Sequence, residues 1–136
     1  MSRPFWVAFC AYLLPTFPLG YFWHLVVFGE EYHNLHMYRD DVIVPMGISS
    51  MIIQALFYAW AYPRLFSATA GDWKTGALRF GLVFFALAWS FTALPVAAKY
   101  KMASVQDFMV LETSFNLLQY AVVSPLIALA YRKVSR

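Results

Sequence analysis

Residues 4–29, 42–63, 80–98 and 113–131 form four runs without an acidic, lysine or arginine side chain, separated by short segments that hold the charge. None of the runs alternates polar with apolar positions as a barrel strand does. Each matches the ~20 residues that a helix rising 1.5 Å per residue needs to cross ~30 Å of hydrocarbon. The pattern predicts an all-α integral membrane protein with four transmembrane helices, over about residues 4–28, 42–66, 77–98 and 107–131. Connections of about a dozen residues favour antiparallel neighbours, so the expected architecture is a single transmembrane domain, residues 1–136, in an up-down-up-down bundle.

Composition strengthens this picture. With 62% hydrophobic and 12% charged residues, too little polar surface remains to coat a water-soluble globule. Arg3 precedes an apolar run as in a secretory leader, but no A-x-A-like cleavage site follows, so the first helix is expected to stay. Cys10 is the sole cysteine, which excludes an intrachain disulfide and any site built from several thiolates. It reads as a small buried hydrophobe.

The charges give the bundle two different ends. Arg3, Arg64, Lys74, Arg79, Arg132, Lys133 and Arg136 fall at one end, against Arg39, Lys99 and Lys101 at the other. The positive-inside rule therefore predicts a multi-pass protein of the inner membrane with both termini in the cytoplasm. Glu30, Glu31, Asp40, Asp41, Asp107 and Glu112 gather at the opposite, outer end, leaving Asp72 alone at the basic end. His24, His33 and His36 share the acidic end. Aromatic residues suit interfacial anchoring, with Trp6, Trp60, Tyr62, Trp73 and Tyr131 at the basic boundary and Trp23, Tyr32 and Tyr100 at the acidic one. Too few basic residues cluster to suggest a nucleic-acid partner. The lipid bilayer is the expected partner, with a hydrophobic small molecule, other membrane subunits or a second copy of the chain as further candidates.

Polar positions inside the spans mark the candidate chemistry. Glu112, Asn116 and Gln119 are spaced by four and three, hence on one helix face. Ser50, Gln54 and Tyr58 share a face of the second helix, and Tyr21 and His24 lie in the first. Lipid does not satisfy such groups, so they are expected to point inward, as helix-to-helix hydrogen bonds or as a ligand-binding wall formed by Tyr21, Gln54, Asn116 and Gln119. Ionisable residues within a span are costly and carry a functional hypothesis by default. His24 and Glu112 both fall about one turn below the outer surface, ~6–8 Å deep. They are expected to pair, with Tyr21 or Gln54 as a further hydrogen-bond partner, and to serve as acid and base if the protein is an enzyme.

Loop one contains Glu30, His33 and His36 in the spacing E-x-x-H-x-x-H, one carboxylate and two imidazoles of the kind that bind a divalent transition metal if the helix continues. The two histidines are also compatible with haem. A di-iron bundle would need a second Glu-x-x-His unit and two more glutamates, and a solvated, partly helical loop accounts for the same residues. The small residues of segment 46–50 offer close helix approach. Pro15, Pro18, Pro95 and Pro125 are expected to kink their helices. No nucleotide-binding, zinc-protease or nucleophile-elbow pattern occurs.

Segments 17–24 (FPLGYFWH), 46–54 (MGISSMIIQ) and 97–101 (AAKYK), with the stripe from Glu112 to Gln119, resemble small bacterial four-helix membrane proteins. The resemblance implies a bacterial inner membrane and carries no activity or cofactor. Two functional expectations follow from the residues themselves. One is a binding or accessory component that holds a lipid or other hydrophobic ligand, or packs on partner subunits, with the polar His/Glu patch at the outer face. The other is a membrane-embedded enzyme or redox component using His24 and Glu112 on an amphipathic substrate. Transport fits less well, because four helices enclose a narrow interior.

Overall fold

The computed structural model describes residues 2–66 and 72–132. Residues 67–71 and the basic residues Lys133 and Arg136 lie outside them. Six α-helices build the chain: α1 (Arg3–Tyr21), α2 (Gly29–Asn34), α3 (Val44–Leu65), α4 (Trp73–Thr92), α5 (Leu94–Lys99) and α6 (Val105–Ala130). A π-helical segment, Phe22–Val27, continues α1, and α5 continues α4 past a break at Ala93. Four continuous spans result, Arg3–Val27, Val44–Leu65, Trp73–Lys99 and Val105–Ala130, each long and apolar enough to cross a membrane. The chain is a multi-pass, all-α membrane protein whose helices run up-down-up-down.

Local chemistry sets the helix ends. Proline, whose missing N–H costs nothing in a first turn, opens α1, α3 and α5. Asp72 caps α4 by accepting from the Thr75 amide, and Ser104 caps α6 by accepting from the Asp107 amide at 3.2 Å. Within α1, Pro15 and Pro18 each remove an i→i−4 donor, and the chain goes over to π geometry four residues later; the Phe28 amide reaches back five residues to the Trp23 carbonyl at 3.1 Å. Pro95 accounts for the break between α4 and α5 in the same way.

The helices pack in the order α3, α1, α6, α4, so the first and last spans form the central pair. This closure places Gln119 against Tyr12 and Glu112 against His24. Helix α4 approaches α6 closely at Gly81, where a β-carbon would lie 2.9 Å from Ser124 Oγ. By contrast α3 and α4 have little close backbone contact and meet largely through rings. Tyr58, Tyr62 and Phe66 pack on Phe80 and Phe84 with centroids 4.7–6.5 Å apart, all in the half of the bundle nearer the basic end. Toward the acidic end residues of both helices instead line a common cavity.

The fold revises several expectations. The small residues of segment 46–50 do not mediate close packing, since a β-carbon on Gly47 would meet nothing within 4 Å. Cys10 is exposed on the outside of α1 rather than buried. Tyr62 and Tyr32 are buried in the two hydrophobic clusters rather than anchored at an interface. Trp60 keeps the anchoring role, exposed and carrying the Arg64 guanidinium 4.5 Å above its ring.

Candidate ligand-binding site

At the acidic end, Tyr32, Leu35 and Phe108 form a small hydrophobic cluster with Trp23, Phe28, Met37 and Tyr38 packed around it. Helix α2 causes this arrangement by folding its apolar face, Tyr32 and Leu35, down onto α6. The Ala103 amide donates to the Leu35 carbonyl at 3.1 Å and ties the first loop to the third. Tyr32 is 0% exposed, and its hydroxyl donates to Glu112 Oε1 at 2.8 Å. Burial first, and then the Glu112 carboxylate beside it, push the Tyr32 phenol well above its usual range. It therefore stays a donor.

His24 lies in the π-helical segment and touches the same carboxylate, with Nε2 3.3 Å from Glu112 Oε1. Its other nitrogen, Nδ1, is 2.9 Å from the Gly20 carbonyl oxygen. A carbonyl only accepts, so Nδ1 carries a hydrogen. A favourable Nε2 contact with Glu112 then requires one more proton, carried either by His24 as imidazolium or by Glu112 as carboxylic acid. The pair is mostly shielded from solvent: 21% of the His24 side chain and 14% of that of Glu112 are exposed.

Below this cluster the α6 stripe continues. Asn116 donates to the Glu112 backbone carbonyl at 2.8 Å. Gln119 donates to the Tyr12 hydroxyl at 3.0 Å, and Tyr12 donates in turn to Gln54, whose amide donates to Ser50 at 3.0 Å. Tyr58 and Tyr120 share a hydrogen bond of 2.6 Å deeper still. The expected pairing of His24 with Glu112 is present. The expected third partner is different, because Gln54 belongs to the Tyr12 network and Tyr21 is exposed without a side-chain hydrogen bond among the described residues, while Tyr32 takes the place.

All four spans and the first loop enclose a cavity of about 1010 Å³. One wall is polar, formed by His24, Glu112, Asn116 and Gln119; the facing walls are apolar, formed by residues such as Ile48, Met51, Leu87 and Phe91. The Thr16 hydroxyl, fully buried, also lines it and makes no hydrogen bond among the described residues. Residues of both α3 and α4 line the cavity. Phe91 of α4 is 71% exposed, as fits a side chain against lipid. From Val44 to Tyr58 the cavity follows α3 for about 21 Å of helix rise.

Glu30, His33 and His36 are not brought together. Helix α2 ends at Asn34, and His36 adopts a left-handed backbone (φ 56°) that turns the chain away. Three-residue spacing keeps side chains on one face only while a helix lasts. Among the described residues no three His, Cys, Asp or Glu side chains form a metal-binding group. Trp89, unusual in mid-span, donates to Thr113 at 2.9 Å.

Tyr32 and Tyr38 are site residues that the sequence reading assigned elsewhere or passed over. Their signal was present: Tyr32 and Leu35, three apart, are the apolar face of the same turn whose polar face carries the E-x-x-H-x-x-H spacing. Comparison of this chain with protein-family models, with curated proteins and with solved structures finds no match.

Proposed function

We propose that this protein is a binding or accessory component of a bacterial inner membrane that holds a lipid-like amphipathic molecule between its four spans, with the acidic end outside and both termini in the cytoplasm. The observation that carries this reading is the cavity of about 1010 Å³, lined mostly by apolar residues with polar groups concentrated at His24, Glu112, Asn116 and Gln119. Ligand pockets commonly occupy ~300–1,000 Å³ and combine apolar walls with a few converging polar groups. A mostly apolar lining suits a ligand taken directly from lipid. The excess of basic residues at the other end, and the resemblance to small bacterial four-helix membrane proteins, support the membrane and the orientation.

The contact between His24 and Glu112 supports a second reading, acid and base chemistry on the same amphipathic molecule. Native mass spectrometry of gently extracted protein tests the first. The expected spectrum has the 15.6 kDa chain with a bound lipid-like mass, and Gly47→Trp, which puts a large side chain into the cavity, loses that mass. A chain that is always bare removes the proposal. The second reading requires His24→Ala and Glu112→Gln to abolish turnover while the bound mass persists. For orientation, in a Cys10→Ser background, a membrane-impermeant maleimide applied to intact cells is expected to label Lys101→Cys and spare Lys74→Cys. The reverse pattern inverts the assignment.

A further inference from the structure

Three hydrogen-bond donors around Glu112 already have protein acceptors. Tyr32 donates to Oε1, His24 Nδ1 to the Gly20 carbonyl, and Asn116 to the backbone carbonyl of residue 112. Arg39, at the cavity mouth, is engaged by both oxygens of Asp41 at 3.2 and 3.3 Å. The group left over is an acceptor: no described residue donates to Glu112 Oε2, on a side chain that lines the cavity. A site that offers a free carboxylate oxygen suits a ligand head that donates.

Two further features favour a cation over a neutral donor. Phe115, Tyr38, Phe91 and Tyr100 line the cavity, with the Phe115 ring 4.4 Å from that of His24, and aromatic faces attract cations. Glu30, Glu31, Asp40, Asp41 and Asp107 outnumber Arg39, Lys99 and Lys101 at this end, which biases the local field toward cations. Deepening the function proposed above, and resting on it, we infer that the bound amphiphile carries a protonated primary amine, whose ammonium replaces the additional proton of the His24–Glu112 pair.

The exchange balances. Whichever of His24 and Glu112 carries the additional proton gives it up to water, leaving a neutral imidazole with its Nδ1 hydrogen on the Gly20 carbonyl and a carboxylate. The arriving ammonium, with three N–H groups, donates to the vacated Nε2 lone pair and to the carboxylate. One positive charge enters and one leaves, so the enclosed site keeps its net charge. The other titratable or charged groups lining the cavity are Arg39 and the tyrosines 21, 38, 58, 100 and 120, with Tyr32 directly behind Glu112. None of the lining residues from α4 or α5 is charged.

Intact protein in uncharged micelles tests this with dodecylamine, dodecanol and dodecanoate as probes. Dodecylamine is expected to bind saturably and to release one proton per chain, read with a pH indicator in weak buffer. Glu112→Gln, which keeps the side-chain size, is expected to weaken amine binding at least about tenfold and to abolish the release. Equal binding of dodecanol or dodecanoate, binding without proton release, or an unchanged Glu112→Gln overturns the inference. These comparisons among probes hold for the unmodified chain even if a variant folds poorly. Gly47→Trp separates the two proposals: if it blocks every probe while Glu112→Gln alters none, the ammonium assignment falls and the cavity stands, and if neither variant matters both fall. Competition by phosphatidylethanolamine in phosphatidylcholine nanodiscs identifies a lipid headgroup as the ammonium source, and its failure against bound dodecylamine identifies a free long-chain amine; either outcome supports the ammonium class.

Discussion

His24 and Glu112 are interdependent, because each is what makes the other tolerable in a mostly shielded interior. Removing one strands its partner, and an unpaired ionisable group in such a place is destabilising where the loss of both is much less so. His24→Leu is therefore expected to cost about 3 kcal/mol in reversible unfolding from mixed micelles, whereas the double change with Glu112→Leu recovers part of that loss. A double variant that simply sums the two single effects would show that the pair is uncoupled. Tyr32→Phe removes one hydrogen bond to the same carboxylate and is expected to cost about 1–2 kcal/mol. Because the folded state holds the Tyr32 and Tyr38 phenols above their usual range, the unfolded chain deprotonates first as pH rises past about 10. Stability is thus expected to fall above that pH, and to fall less steeply in Tyr32→Phe. At this scale the sequence was informative about His24 and Glu112, since an ionisable residue within an apolar span is visible by inspection. Tyr32 was not, because a tyrosine beside a membrane boundary reads equally well as an interfacial anchor.

Two glycines make opposite predictions at the scale of helices. Gly81 sits where α4 meets α6, with room for no β-carbon before Ser124 must move. Gly81→Leu is expected to force the helices apart, costing about 1–3 kcal/mol and lowering the thermal midpoint. Gly47→Leu, facing open space, is expected to leave the midpoint nearly unchanged; a comparable drop would mean that α3 and α4 close together at the acidic end. Helix existence was legible because a long uncharged run has one stable form in lipid. The π-helical segment that carries His24 was less so: Pro15 and Pro18 signalled a disturbance in α1, but which geometry relieves it depends on packing several residues onward. The metal spacing in loop one failed for a related reason, since it presumed a helix that ends at Asn34.

For the whole molecule, the packing order decides what the bundle is for. A ring of four helices closed on every side would leave a narrow interior; joining α1 to α6 and leaving α3 and α4 with little close backbone contact makes room for a cavity. Spin labels at Gly47 and Phe91, which line the cavity, are expected to give a broader distance distribution than labels at Leu65 and Leu78, at the basic end. Occupancy of the cavity is expected to narrow only the first. Identical behaviour of both pairs would mean that the cavity does not exist in a bilayer.

By itself the sequence determined the number of spans, the separation of charge between the two ends and the polar stripe of α6, because each follows from one-dimensional spacing judged against hydrocarbon thickness and helix period. The tertiary structure alone decided that the first and last spans pair, that Tyr32 rather than Tyr21 or Gln54 completes the His24–Glu112 cluster, and that a cavity forms among the four spans. The physical reason is common to all three. In lipid every span is equally apolar on the outside, so partner choice rests on a few small residues, ring contacts and buried hydrogen bonds whose complements lie far away in the chain.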